Sequence, residues 1–534
     1  MVELFTARSG APSMKVDGVA MHSPYDPERE AERFLQETIG AERPSTVIVL
    51  GECVGHLARA VSRRLPAALV LAALYSVEIA AASAREGLPF WSPASGTSFA
   101  EFLRRHLGEL QIEGLRVLEW PPSARAFPVV SRAANEAVRQ VVQELNGGFV
   151  TTVAAGRLWL RNCVANLVNI PQVLSGPLCP ERRPVVVAAS GPSLEEALPL
   201  LRELRAHAEL WALPSSCPAL AHAGLAPDLV VLTDPGYYAM HHLHFAAPRC
   251  PVAMPLSAAR GAWGLPSRPG ILLLEQPFPL ERRFLDAARV AAPRVPPHGT
   301  VAATAIGLAL GATRGPIVLA GLDLAERDLL SHARPNAFDS LLHLQSTRLT
   351  PHASLLFRRA IDLGSTTQAP GVRLTPALRT YAGWLGGGFA AESGRLFRLF
   401  PSRVAIPGMG ELDRQSARGL LREFEPGHHP PALLPSGEYP PPAERRRAAG
   451  RILQAFSREA ERATEALQGA PQASWDPGRF PRAVELAYLV TPRQLVDSLR
   501  KSRLGEREAA RSAAIELFAE CRRFLESLAG RLRG

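Results

Sequence analysis

An α/β protein is predicted, with a Rossmann-like parallel sheet as its central domain, a smaller degenerate Rossmann-like domain before it and a helical region after it. Three observations predict this. Between Pro184 and Leu324, short runs that are apolar throughout alternate with helical periodicity, the pattern of a parallel sheet covered on both faces. An earlier stretch, STVIVLGECVGHLARAVSRRL followed by ALVLAALY, repeats strand, glycine turn, helix and strand on a smaller scale. After Ala443 the chain turns to Arg- and Glu-bearing helices whose charges read as a solvated face.

The 534 residues exceed one ordinary core, so two or three domains are expected. With 47% hydrophobic and 21% charged residues, the chain has the surface to bury and too little net charge for disorder. A formal charge of +10, carried mostly by arginine, admits anionic partners such as nucleotides or anionic sugars. Nucleic acid is not expected: aromatic residues are only 6%, and no basic run is interleaved with stacking residues. Six scattered cysteines without a C-x-x-C pair disfavour a zinc knuckle or disulfide scaffold and fit a reducing compartment. The N-terminus has no apolar core of signal-peptide length, and Leu65 to Ala82 carries Glu78 and is broken by Pro66 and Ser76. That stretch reads as a buried strand running into a helix, so a cytoplasmic protein without a membrane span is expected.

In chain order, HSPYDP reads as a turn, with a helix from about Glu28 and Pro27 in its first turn. The turn after Thr46 to Leu50 reads G-E-C-V-G where a dinucleotide site would want G-x-G-x-x-G, so a plain strand-to-helix connection is the first reading there. Domain boundaries are expected at 1–175 and 183–412, the latter with a lid or insertion at about 330–400. A Pro-rich linker over 413–442 and the helical region over 443–534 complete the chain.

Ligands of parallel sheets sit beyond the carboxyl ends of the strands, which singles out three loops. VVVAASGPSLEEALPLL breaks a strand at Ser190, Gly191, Pro192 and Ser193. The glycine admits close backbone approach, and the next helix offers amide donors to a phosphate. Ser193 reads equally as a helix N-cap with Glu196 as its capping-box partner. PDLVVLTDPGYY places Asp228 before a strand and Asp234 at its end, where a carboxylate can take a ribose hydroxyl, bind a metal or shape a turn. RVPPHGTVAATAIGLALG opens a second helix at His298, Gly299, Thr300 and Val301, a further candidate phosphate or sugar contact or a simple helix start. PIVLAGLDLAERDLLSHA supplies Asp323 at a strand end and His332 soon after, and histidine is the natural general base near neutral pH. His241, His242 and His244 are adjacent on a helix and point apart, so no metal site is expected.

HSPYDPEREAERF, PVVVAASGPSLEEALPLL, GLAPDLVVLTDP, HGTVAATAIGLALG, PIVLAGLDLAERDLLSHA, LTPALRTYAGWL and AIPGMGEL together resemble, in order, the bacterial motility-associated factor (Maf) family over residues 20–412. The resemblance implies a flagellin glycosyltransferase that moves a nonulosonic acid from its CMP-activated form to Ser or Thr. Its central domain is similar to family 42 sialyltransferases. On that likeness Ser190, Gly191, Pro192 and Ser193, with Gly299, Thr300 and Val301, contact the nucleotide, Asp234 and Asp323 line the pocket, and His332 is the base. Catalytic roles for His332 and Asp323, no metal, no cofactor beyond the donor and an admissible homo-oligomer follow as expectations. The sialyltransferase base lies near the position of Thr375, where this chain has no histidine. The central domain also resembles the 6-hydroxymethylpterin pyrophosphokinase MptE, which would hold Mg²⁺-ATP with Asp228, Asp234 and Asp323. A non-catalytic flagellar assembly factor is the third reading.

Overall fold

The computed structural model describes residues 2–82, 87–267, 270–276, 279–295, 299–389, 392, 394–402, 404–427, 429–469 and 475–533. The chain is α/β and falls into two units, Met1–Ala154 with Glu459–Arg522, and Ala155–Arg458 with Arg523–Gly534.

The first unit holds a four-stranded parallel sheet in the order Phe90–Trp91, Leu69–Ala73, Thr46–Leu50, Leu115–Glu119. Its central strand, TVIVL, is buried along its whole length, as a β-branched run covered on both faces should be. Leu69–Ala73 and Val77–Ala82 form the expected strand and helix of the apolar 65–82 stretch. HSPYDP builds the start of helix Pro27–Ile39: Asp26 accepts from the Arg29 amide, the Ser23 amide donates to Glu30, and the buried His22 ring lies 4.7 Å from Trp120. The G-E-C-V-G turn shows why this unit departs from a dinucleotide site. Buried Glu52 folds back so that its carboxylate accepts from the amides of Cys53 (2.9 Å), Gly55 (3.0 Å) and Ala58 (2.7 Å). A side chain thus fills the place on the helix start that a phosphate would take.

The second unit is built on a ten-stranded sheet. Its strand order is Gly410–Leu412, Leu396–Leu399, Ile317–Ala320, Val185–Ala188, Glu209–Ala212, Leu229–Val231, Val252–Met254, Ile271–Leu273, Val173–Ser175, Leu434–Pro435. All neighbours are parallel except the last pair. From Val185–Ala188 the chain first adds strands on one side and later returns to the other with Ile317–Ala320. The carboxyl ends of these two strands therefore flank a topological switch point. Helix Val301–Ala312 packs on the sheet through buried Ala302, Ala303, Ala305 and Ala309, whose small side chains allow close approach.

Three segments differ from their sequence readings. The 330–400 stretch holds helices Ala337–Gln345, His352–Asp362 and Pro376–Gly388 with a small antiparallel sheet, but Leu396–Leu399 returns to the main sheet. The Pro-rich 413–442 stretch carries helix Arg414–Arg422 and the edge strand Leu434–Pro435. Val173–Ser175, placed at the end of the N-terminal domain by its sequence, is a strand of the second unit's sheet. No two cysteines are bridged.

Candidate functional site at the carboxyl rim of the second sheet

The two loops at the switch point meet backbone to backbone. The Ala189 amide donates to Ala320 (2.8 Å) and the Gly191 amide to Gly321 (2.7 Å). A Cβ on Gly191 would stand 2.6 Å from the Gly321 oxygen, and Gly321, at φ +71°, would drive one to 2.7 Å from the Ala189 oxygen. Only glycine fits either place. Behind this seam the Ser193 amide donates to Asp323 Oδ2 (2.7 Å) and the Ser193 hydroxyl to Oδ1. Asp323 is buried; desolvation pushes its carboxyl up, while the Ser193 bonds and nearby Arg398 and Arg327 pull it down.

This corrects two readings. Ser193 does not cap the helix with Glu196. Its hydroxyl donates to the buried carboxylate rather than accepting from a helix amide, and Glu195 and Glu196 pair with Arg327 at 3.2 and 3.0 Å. Nor are the Gly191 and Ser193 amides open to a phosphate, since Gly321 and Asp323 already hold them. Asp323 accordingly positions the turn. Pro192 is buried, and Ser190 offers its carbonyl to the Ala333 amide at 2.7 Å.

Further along the same rim, exposed Asp234 accepts from the Gly236 amide at 2.6 Å through Oδ1, as a turn residue at a strand end. Gly299, at φ +76°, leads into Thr300, whose hydroxyl accepts from the Ala303 amide at 3.1 Å and starts helix Val301–Ala312. His298 lies outside the described residues. Trp384 of helix Pro376–Gly388 lies flush on Gly299: an added Cβ would fall 1.8 Å from Cζ3. Tyr381, one turn earlier with its ring 5.6 Å from Trp384, has its phenol pushed up by burial and by the nearby charge of Asp234. The insertion helix thus spans from Asp234 to Gly299. Gly299→Ala is expected to cost about 1–2 kcal/mol from the left-handed backbone alone, and more while the Trp384 ring is displaced. Thermal unfolding checks this, and Trp384→Ala should abolish only the second part.

His332 sits on the loop that Ser190 anchors. Its Nδ1 is 2.8 Å from Ser331 Oγ, and its ring packs 5.0 Å from Phe338 and 6.3 Å from His242. Burial, the other imidazole and Arg359 push it down to about 3, and burial with His241 pushes His242 down to about 4. Both rings are therefore neutral near pH 7. His242 Nδ1 accepts from the Ala337 amide, His241 packs on Tyr237 and His244 bonds the Met240 carbonyl, so the three histidines diverge as their spacing predicts.

Sequence reasoning missed the brace beneath this rim. On helix Pro128–Asn169, Asn162 donates to the carbonyls of Pro235 and Ser257 (3.1 Å each), and Asn166 to those of Leu256 and Ala258. Fully buried Glu281 receives the Ser257 amide at 2.9 Å and lies 3.1 Å from its hydroxyl. Burial pushes that carboxyl up to about 8. The available signal was two asparagines four residues apart on an otherwise apolar helical face.

Comparison with known proteins returns both groups that the motifs resemble. A family model described as 6-hydroxymethylpterin diphosphokinase MptE-like matches residues 159–329. A solved structure of a MAf glycosyltransferase from Magnetospirillum magneticum AMB-1 matches with a TM-score of 0.61 at 12% identity, covering 99% of this chain and 91% of that one. At that identity the likeness is one of fold. Two proteins of Treponema pallidum (strain Nichols), both described as uncharacterized, are 26% and 29% identical over 240 and 122 residues, or 45% and 22% of this chain. The chain spans about half the length of these curated relatives, 53% and 57%. Among the described residues, no helix is long and apolar enough to cross a membrane.

Proposed function

We propose that this chain is a cytoplasmic glycosyltransferase. It transfers a nonulosonic acid, of the pseudaminic, legionaminic or sialic type, from its CMP-activated form to serine or threonine hydroxyls of flagellin. The observation that carries this reading is the shared carboxyl rim. The Ser190–Ser193 turn, Asp234, the Gly299–Val301 helix start and His332 all lie on it, in a fold that follows a MAf glycosyltransferase along nearly its whole length.

The residues divide the work as follows. With the Gly191 and Ser193 amides committed, the donor phosphate falls to the Thr300–Val301 helix start, whose positive end stabilises charge as CMP leaves. Asp234 accepts ribose hydroxyls, and Asp323 keeps the Ser190–Ser193 turn in place. The bond from the anomeric carbon to the phosphate oxygen breaks through an oxocarbenium-like state, and the acceptor oxygen bonds that carbon. His332 takes the hydroxyl proton on Nε2, which is available when Nδ1–H donates to Ser331. The reaction needs no cofactor beyond the CMP-activated donor.

One observation favours a second reading: the MptE-like match, which implies diphosphate transfer from Mg²⁺-ATP. The three carboxylates that would hold the ion do not fit it. Asp228 precedes strand Leu229–Val231 and is bound at the opposite rim by Arg205 (2.5 Å) and the Leu210 amide (2.8 Å), whereas Asp234 follows that strand. The two carboxylates thus lie beyond opposite ends of that strand. Calorimetry decides between the readings. CMP should bind without metal and at least tenfold more weakly to Asp234→Ala; Mg²⁺-dependent ATP binding without CMP affinity would establish the rival.

A further inference from the structure

We infer that the insertion helices and helix Tyr237–Ala246 form the docking surface for the protein acceptor, and that this acceptor presents an apolar, acidic face. The inference rests on the glycosyltransferase reading and adds where the polypeptide is gripped. Among the described residues, eight of the ten exposed large hydrophobics in the second unit lie between 237 and 245 or between 344 and 363. They include Tyr237, Tyr238, Phe245, Leu344, Phe357 and Ile361, and two of the eight, Leu344 and Leu349, are 83% and 86% exposed. Monomer surfaces scatter such residues, so a cluster of aromatic and aliphatic side chains on three helices and the segments beside them marks a binding face.

The cluster reaches the candidate base through Phe338, on which Tyr238 packs. Phe338, on helix Ala337–Gln345, stands 5.0 Å from His332, 4.8 Å from His242 and 5.2 Å from Tyr238, with the Arg359 guanidinium 5.1 Å over its other reach. A polypeptide seated on this face therefore lies beside the imidazole that must meet its hydroxyl. An open groove of about 900 Å³ continues the face, with Leu198, Pro218, Ala221 and Pro335 in its wall and Phe245 at its margin. The sign of the partner follows from charge. Between 344 and 363 three arginines, Arg348, Arg358 and Arg359, stand against a single carboxylate, Asp362, and leave the apolar strip net basic.

The test uses the full-length chain, purified flagellin and CMP-pseudaminic acid, with Phe357→Glu/Ile361→Glu as the surface variant. Its KM for flagellin should rise at least tenfold at unchanged kcat and unchanged CMP affinity, because neither side chain touches the nucleotide rim. Arg348→Glu/Arg358→Glu should raise KM as well and weaken its dependence on salt. Flagellin binding without donor is measured alongside. If wild-type protein binds flagellin but does not transfer, the glycosyltransferase reading fails and the docking surface stands. If wild-type protein does not bind flagellin, or if both variants keep the wild-type KM, the docking surface is overturned. A change of oligomeric state in the variants by light scattering would overturn it too, assigning the face to a second copy of this chain.

Discussion

Replacing His332 with glutamine is expected to slow sugar transfer by about 10²–10⁴-fold while CMP binds as before, the range a positioned general base supplies. Glutamine keeps the approximate volume and can still bond Ser331, so the loop should hold its anchor at Ser190. What it lacks is a lone pair basic enough to take the hydroxyl proton. The pH profile sharpens the test. An ordinary histidine titrates near 6.5 and would halve the rate there on the acid side. Here burial beside His242, Phe338 and Arg359 pushes His332 down to about 3, so kcat/KM should show no acid limb from this group between pH 5 and 7. The entering phosphate brings negative charge to the rim and makes the imidazole a better base once the donor is bound, so an acid limb is expected in kcat alone. A limb near 6.5 in kcat/KM that vanishes in His332→Gln would mean that the ring is solvated in the free enzyme, against this account.

The fold was legible where one physical rule dominates. Runs such as VVVAA and PIVLA are apolar throughout, and only a sheet covered on both faces buries such a run, so strands and their parallel order followed. Glycine turns marked the carboxyl rim for the same reason: Gly191 and Gly321 stand where a Cβ would strike backbone. The chemistry at that rim was harder, because a residue type states what a group can bond and not which partner wins. Ser193 and Glu196 satisfied a capping box in sequence, yet Asp323, 130 residues away, offered a buried carboxylate that takes the Ser193 amide from half-buried Glu196, which pairs with Arg327. The G-E-C-V-G turn likewise read as a plain strand-to-helix connection, and the carboxylate of Glu52 proves to occupy its helix start. Glu281 and Trp384 gave no local signal, and the Asn162–Asn166 pair gave only its spacing, since their partners lie on other strands and helices of the unit.

The brace beneath the rim gives the largest expected effect on stability. Glu281 is wholly buried and held up at about 8, against an ordinary 4.5, chiefly by desolvation, with the charge of Glu275 adding to it and the Ser257 bonds opposing. The sign follows from linkage. Between those two values the folded chain keeps a proton that the unfolded chain has released, so stability falls as pH rises from about 4.5 and levels off above about 8. At about 1.4 kcal/mol per unit, ionising this carboxyl costs on the order of 4–5 kcal/mol as an upper bound. Glu281→Gln copies the protonated form and still accepts from the Ser257 amide. The variant should match wild type near pH 5 and unfold at a clearly higher temperature at pH 9, with Glu209 and the other titrating groups cancelling in the comparison. The same substitution reaches function through the loop it holds: the Ser257 carbonyl is bonded by Asn162, which also bonds Pro235 beside Asp234. Wild-type affinity for CMP should therefore decline above pH 8 and that of Glu281→Gln should not. Equal pH slopes in calorimetric unfolding of the two proteins would show that Glu281 ionises without penalty, and the brace would then have no hold on the site.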